Sequence, residues 1–136
     1  MRRLAELMPK VLVVDDDRAL REVMQRELTE HGMQVEAAES GREALLRLCA
    51  ATLNCGVYDL VVLDIAMPEI NGWRVLEAIK ANPLWEDIRV VVLSGYGHTA
   101  QSLSRLTEYD GVFVEKKGDF RRIVLSLVER LVAQPS

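Results

Sequence analysis

Val11-Leu12-Val13-Val14-Asp15-Asp16-Asp17 is the stretch on which the reading turns: four apolar residues, three of them β-branched, run without a break into three acids. A strand covered on one face alternates apolar with polar residues, whereas a strand covered on both faces reads as a continuous apolar run. Two further runs of the same kind follow, Leu60-Val61-Val62-Leu63 and Val90-Val91-Val92-Leu93. Weaker strand signals lie at 33–38 and 112–115. Helical patterns separate them. Leu20, Val23, Met24 and Leu28 recur at helical spacing, and Gly32 follows as a left-handed stop. Ser40-Gly41-Arg42-Glu43 has the form of a capping box and opens a second helix carrying Ala44, Leu45, Leu48 and Cys49. A third helix holds Val75, Leu76 and Ile79 and stops at Asn82-Pro83. A fourth, weakly patterned, holds Ala100, Leu103 and Leu106. The fifth presents Phe120, Ile123, Val124, Leu127, Val128, Leu131 and Val132 as one apolar stripe, with Asp119 placed to cap it.

Strand then helix, five times over, predicts an α/β fold: a doubly wound parallel sheet with helices on both faces. No internal repeat or low-complexity linker interrupts residues 11–132. Residues 1–10 read as an N-terminal arm, with Leu4, Leu7 and Met8 apolar, and 133–136 as a tail. On this division no room remains for an output domain, so a signal is expected to leave through surface contacts.

The composition narrows the function classes. The chain has 136 residues, a net charge of −4, 49% hydrophobic and 28% charged residues, which suits one globular domain with its own core. Neither a basic stripe nor an aromatic-interleaved basic run points to nucleic acid. No apolar run reaches the roughly 18 residues of a membrane span, and residues 1–10 lack the apolar centre of a secretory signal. Cys49 and Cys55 have no metal-type spacing and read as free thiols in a reducing cytoplasm.

In doubly wound sheets, function gathers at the carboxyl ends of the strands. Here those ends carry Asp15-Asp16-Asp17, Asp64, Ser94-Gly95 and Lys116-Lys117. Asp17 reads as a helix cap and Lys117 as a solvated neighbour. One cap does not need three aspartates, however, and crowded carboxylates repel one another. A hard divalent cation relieves that repulsion, and oxygen ligands suit Mg²⁺. An aspartate can also serve as a nucleophile that forms an acyl phosphate. A serine hydroxyl and a lysine ammonium nearby would meet the charge on a transferring phosphoryl group.

In Val13-Val14-Asp15-Asp16-Asp17, Leu63-Asp64-Ile65-Ala66-Met67-Pro68 with Gly72, Leu93-Ser94-Gly95 and Phe113-Val114-Glu115-Lys116, the sequence resembles a response-regulator receiver domain of two-component signalling. The resemblance implies a flavodoxin-like sheet of order 2-1-3-4-5. It implies Asp64 as phosphoacceptor and Asp15, Asp16, Asp64 and the Ala66 carbonyl as the Mg²⁺ site. Ser94 and Lys116 would contact phosphoryl oxygens, and Ser94 and Phe113 would form the switch pair. It further implies a phosphohistidine donor, from a histidine kinase or phosphotransfer domain, and a downstream target protein. The target would meet the surface made by the helix around Leu103, the strand at 112–115 and the helix from Phe120; a homodimer is left open. Such a domain is a switch that catalyses only its own phosphoryl transfer and slow dephosphorylation. One departure is Lys117, where the family usually has proline joined by a cis bond; a cis bond before a non-proline costs about 3 kcal/mol, and Gly118 could absorb the change. Neither Ala66 nor Tyr96 offers a carboxylate or amide to orient an attacking water, which predicts a fairly long-lived aspartyl phosphate. The rival reading is a haloacid-dehalogenase-type phosphatase with Asp15 as nucleophile and Asp17 as acid–base. It lacks an acidic fourth motif and leaves Asp64 unexplained.

Overall fold

A computed structural model describes residues 8–54, 56–65, 67, 71–95 and 112–133. The elements are β1 (Lys10–Val14), α1 (Arg18–Glu30), β2 (Gln34–Ala38), α2 (Gly41–Leu53), β3 (Leu60–Asp64), α3 (Gly72–Ala81), a 3₁₀ turn (Pro83–Trp85), β4 (Arg89–Ser94), β5 (Val112–Glu115) and α4 (Phe120–Ala133). The five strands form one parallel sheet in the order β2-β1-β3-β4-β5. The continuous apolar runs are its three central strands, buried on both faces, while β2 and β5 at the edges are only half-buried. The fourth helical pattern of the sequence lies outside the described residues.

Because side chains alternate along a strand, the central strands feed two separate cores. Leu12, Val14, Val61, Leu63, Val90 and Val92 pack with Ala44 and Leu48 of α2 and Val75, Leu76 and Ile79 of α3. Val11, Val13, Leu60, Val62, Val91 and Leu93 pack with Met24 and Leu28 of α1 and Val124 and Val128 of α4.

The helix starts follow the capping chemistry. The Asp17 carboxylate accepts the Leu20 N–H at 3.2 Å, and Ser40 Oγ accepts the Glu43 N–H at 3.1 Å. The Glu43 carboxylate reaches back to the N–H of Glu39, one residue before the cap. Asn71 starts α3 and Asn82 caps the turn that ends it. Gly32 has φ +85° just after α1, a left-handed turn that costs glycine little. At the start of α4, Asp119 accepts the Arg122 N–H with its backbone carbonyl, and its carboxylate lies 3.2 Å from the Arg122 guanidinium.

Candidate functional site

The register of the sheet assembles the site. Val14 pairs with Leu63 and Asp64 with Leu93, so the residues that close β1 and β3 stand side by side. Ser94 pairs with Glu115, and the ladder continues past it, with Lys116 N–H donating to the Ser94 carbonyl at 2.7 Å. β1 lies between β2 and β3, so the chain reverses its winding direction there, and this reversal is where doubly wound sheets open a crevice.

Asp15, Asp64 and Ser94 are the buried polar residues of the described chain, with Asp15 1% and Asp64 3% exposed. Asp16 beside them is exposed. One carboxylate oxygen from each aspartate lies within 4.8 Å of the others. Lys116 Nζ donates to Asp15 Oδ2 at 2.8 Å and lies 3.3 Å from Asp64 Oδ2. Asp15 Oδ1 accepts the Asp17 N–H at 2.9 Å. Burial raises the pKa of Asp15 above the ordinary carboxylate value; the bonds from Lys116 and Asp17 only partly offset this, and the Asp64 charge adds to it. Burial alone would lower Lys116, but the bond to Asp15 and the charges of Asp15 and Asp64 outweigh it and hold the ammonium above its usual value.

Three acids against one cation is a set of hard oxygen donors with uncompensated negative charge. That is the chemistry of a divalent-cation site of the Mg²⁺ type. Ala66 and Tyr96 lie outside the described residues. Phe113 is half-buried on β5, paired with Val92 and packed against the α2–α3 core. Lys117 is exposed, 3.4 Å from Glu115. The Lys116–Lys117 peptide bond is trans and Gly118 takes φ +57°, and Lys116 still reaches both buried carboxylates. Asp17 caps α1 through Oδ1, the role expected of it, and nothing in the arrangement favours the phosphatase reading.

Two residues complete the site beyond the strand-end signals. Arg21 of α1 donates from Nη1 to the Asp15 carbonyl at 2.9 Å and lies 4.0 Å from Glu39, clamping the end of β1 from behind. In the sequence it reads as an ordinary helix-surface charge. At Gly72, an added Cβ would lie 2.3 Å from the Asp64 carbonyl oxygen and 2.4 Å from Ile65 Cα. The first residue of α3 therefore sits directly against the backbone of the Asp64 loop. This demand comes from a close approach, not from a positive φ.

The family model for the response regulator receiver domain matches residues 11–127. A response regulator, MprA, from Mycolicibacterium vanbaalenii is 35% identical over 97 residues, covering 71% of this chain and 39% of that protein. MprA of Mycobacterium avium is 33% identical over the same length, covering 71% and 40%. The chain thus spans about two fifths of the length of the curated relatives it matches. Among solved structures, the response regulator TrrA from Thermotoga maritima, in complex with Mg(2+)-BeF, is 35% identical and covers 91% of this chain and 99% of that one, with a TM-score of 0.73. The phosphorylated cyanobacterial phytochrome response regulator RcpA is alike in fold, with a TM-score of 0.82 at 24% identity, covering 95% and 97%.

Proposed function

The chain belongs to the response-regulator receiver family, and on that premise we propose that Asp64 is its phosphoacceptor, with Asp15, Asp16 and Asp64 holding Mg²⁺. A receiver is a phosphorylation-dependent switch of two-component signalling, and catalysis of other substrates is not its role. The single observation that carries the site assignment is the Lys116 ammonium, 2.8 Å from Asp15 and 3.3 Å from Asp64, at the junction of adjacent strand ends.

The donor is a phosphohistidine of a histidine kinase or phosphotransfer domain. An Asp64 oxygen attacks phosphorus, the O–P bond forms, the N–P bond breaks, and the electron pair returns to the imidazole, which takes up a proton. Lys116 turns from the carboxylates to a phosphoryl oxygen, and the Ser94 hydroxyl donates to another. When bound, Mg²⁺ supplies the remaining charge neutralisation; the Ala66 carbonyl would add a ligand. Arg21 and Gly72 hold the backbone of Asp15 and Asp64 in place. Ser94 moving toward the phosphoryl group leaves room for Phe113 to turn further inward. That change alters the surface of β5 and α4 and the segment around Leu103, which the downstream target reads. Without a carboxylate or amide at Ala66 or Tyr96 to orient an attacking water, the aspartyl phosphate is fairly long-lived; loss of label within seconds contradicts this.

The test is incubation with acetyl phosphate and Mg²⁺, read by intact mass. One phosphoryl group is gained, and Asp64→Asn abolishes the gain. Turnover of a phosphate ester that Asp15→Asn abolishes and Asp64→Asn leaves intact would overturn the assignment in favour of the phosphatase.

A further inference from the structure

Helix α2 is apolar on two opposite faces. Ala44, Leu48 and Ala51 face the core. Diametrically across the helix, Leu46, Cys49, Ala50 and Leu53 recur at i, i+3, i+4 and i+7 and all are exposed, Leu46 at 62% and Leu53 at 84%. A surface helix with one apolar stripe is ordinary, and a second stripe facing water marks an association surface. The turn beside its end adds exposed Leu84, tied to α2 by Trp85 Nε1–H donating to Thr52 Oγ1 at 2.8 Å.

We propose that α2 is a self-association surface, two copies of the chain pairing antiparallel through Leu46, Cys49, Ala50 and Leu53 about a two-fold axis between Cys49 and Ala50. Two features select a second copy as the occupant, and a third sets the strength of the pairing. First, the stripe is palindromic in size: large, small, small, large. A two-fold axis at its centre sets Leu46 against the partner's Leu53 and lets the backbones approach over Cys49 and Ala50, which meets the isologous requirement of a closed dimer. Second, the charges complement each other. The last turn of α2 carries no basic residue; its carbonyls are met by the neutral Asn54 amide and the Gly56 N–H, while exposed Arg42 continues the stripe at the other end. Antiparallel pairing brings Arg42 over the carbonyl end of the partner's helix, where a cation is favoured. Third, the area is small. Two turns of helix cover well under the about 800 Å² per partner of a stable complex, so the dimer is weak and forms at high protein concentration.

The stripe lies away from the acid cluster, so this pairing stands independently of the phosphoacceptor assignment. Sedimentation of the full chain under reducing conditions, from about 5 to about 500 μM, should show the average mass rising from 15.3 kDa toward twice that value. Leu46→Glu and Leu53→Glu, on exposed positions, should stay monomeric with unchanged circular dichroism. Arg42→Glu should weaken pairing at least about threefold, and Asp64→Asn should pair as the parent does. In a Cys55→Ser background, a short bismaleimide should trap a dimer through Cys49, lost in Cys49→Ser. A mass of 15.3 kDa at every concentration, wild-type association by both leucine variants, or no Cys49 cross-link under dimeric conditions would each overturn the proposal.

Discussion

Two charge clusters among the described residues differ in a way that separates a site from scaffolding. At the carboxyl end of the sheet, Asp15, Asp16 and Asp64 surround one cation, Lys116. On the α2 side of β2, Glu36 and Glu43 meet two cations: Lys10 lies 3.4 Å from Glu36, and Arg47 lies 3.2 Å from each glutamate. The Tyr58 hydroxyl donates to Glu36 at 2.6 Å, and Lys10 stands 4.9 Å over its ring. The second cluster is balanced and half-exposed, and its contacts are all made within the fold. The first sets two buried carboxylates and the exposed Asp16 around Lys116. Crowding carboxylates in this way does not favour folding, so its retention points to a partner that arrives from outside.

The largest expected effect on this contrast is chemical. Asp64→Asn should lose all phosphoryl gain from acetyl phosphate, whereas Glu36→Gln should be labelled to the same stoichiometry as the parent. Next comes Lys116, the cation between the two buried carboxylates. Lys116→Met leaves two buried carboxylates without it and should cost about 3 kcal/mol in urea unfolding, a loss that added Mg²⁺ reduces. Arg47→Met removes a 40%-exposed partner and should cost below about 1 kcal/mol. Equal losses would erase the distinction between the clusters.

Backbone packing should divide the same way. Gly72→Ala forces a methyl into the Asp64 carbonyl and should cost about 2 kcal/mol or more. At Gly56 the added atom would meet Lys10 Nζ at 3.9 Å and the Asn54 carbonyl at 4.0 Å, so Gly56→Ala should stay within about 0.5 kcal/mol.

The smallest effects lie in the pH dependence, where the two clusters have opposite signs. Burial pushes Glu36 up, but the Tyr58 bond and the Lys10 and Arg47 charges outweigh it and hold its carboxyl below the ordinary value. Its contribution is therefore present above that ordinary value and lost as pH falls through the lowered one. Asp15, raised chiefly by burial, does the reverse: the metal-free fold gains from its protonation as pH falls through the raised value. Acid titration of stability should show Glu36→Gln flattening the acid-side loss and Asp15→Asn removing the opposing gain. Tyr58→Phe should cost about 1 kcal/mol at neutral pH.

Much of this was legible before any coordinates. β1, β3 and β4 announce themselves because burial on both faces demands unbroken apolar runs, and the residues that end those runs name Asp15, Asp64 and Ser94. The edge strands are fainter because they are only half-covered. Asp64 and Ser94 are the last residues of β3 and β4, where the sequence reading sets the strand ends. Arg21 escaped notice for a different reason, and Gly72 entered only as part of the motif after Asp64, without its packing role. Their roles arise where segments distant in sequence touch, and neither leaves a periodic trace. Residues 66 and 96–111 lie outside the described chain, so the Ala66 ligand and the helix around Leu103 remain expectations from the resemblance.

The sheet divides the interior into two compartments that share backbone but not side-chain neighbours: Leu12 and Val14 on one side, Val11 and Val13 on the other. Substitutions in α1 or α4 and substitutions in α2 or α3 therefore have few common partners, and their effects should add rather than interact. A lineage carrying this fold can rewrite one flank while the other stays fixed. The carboxyl rim, where every strand end meets, is the narrow place at which a change on either flank is felt by both.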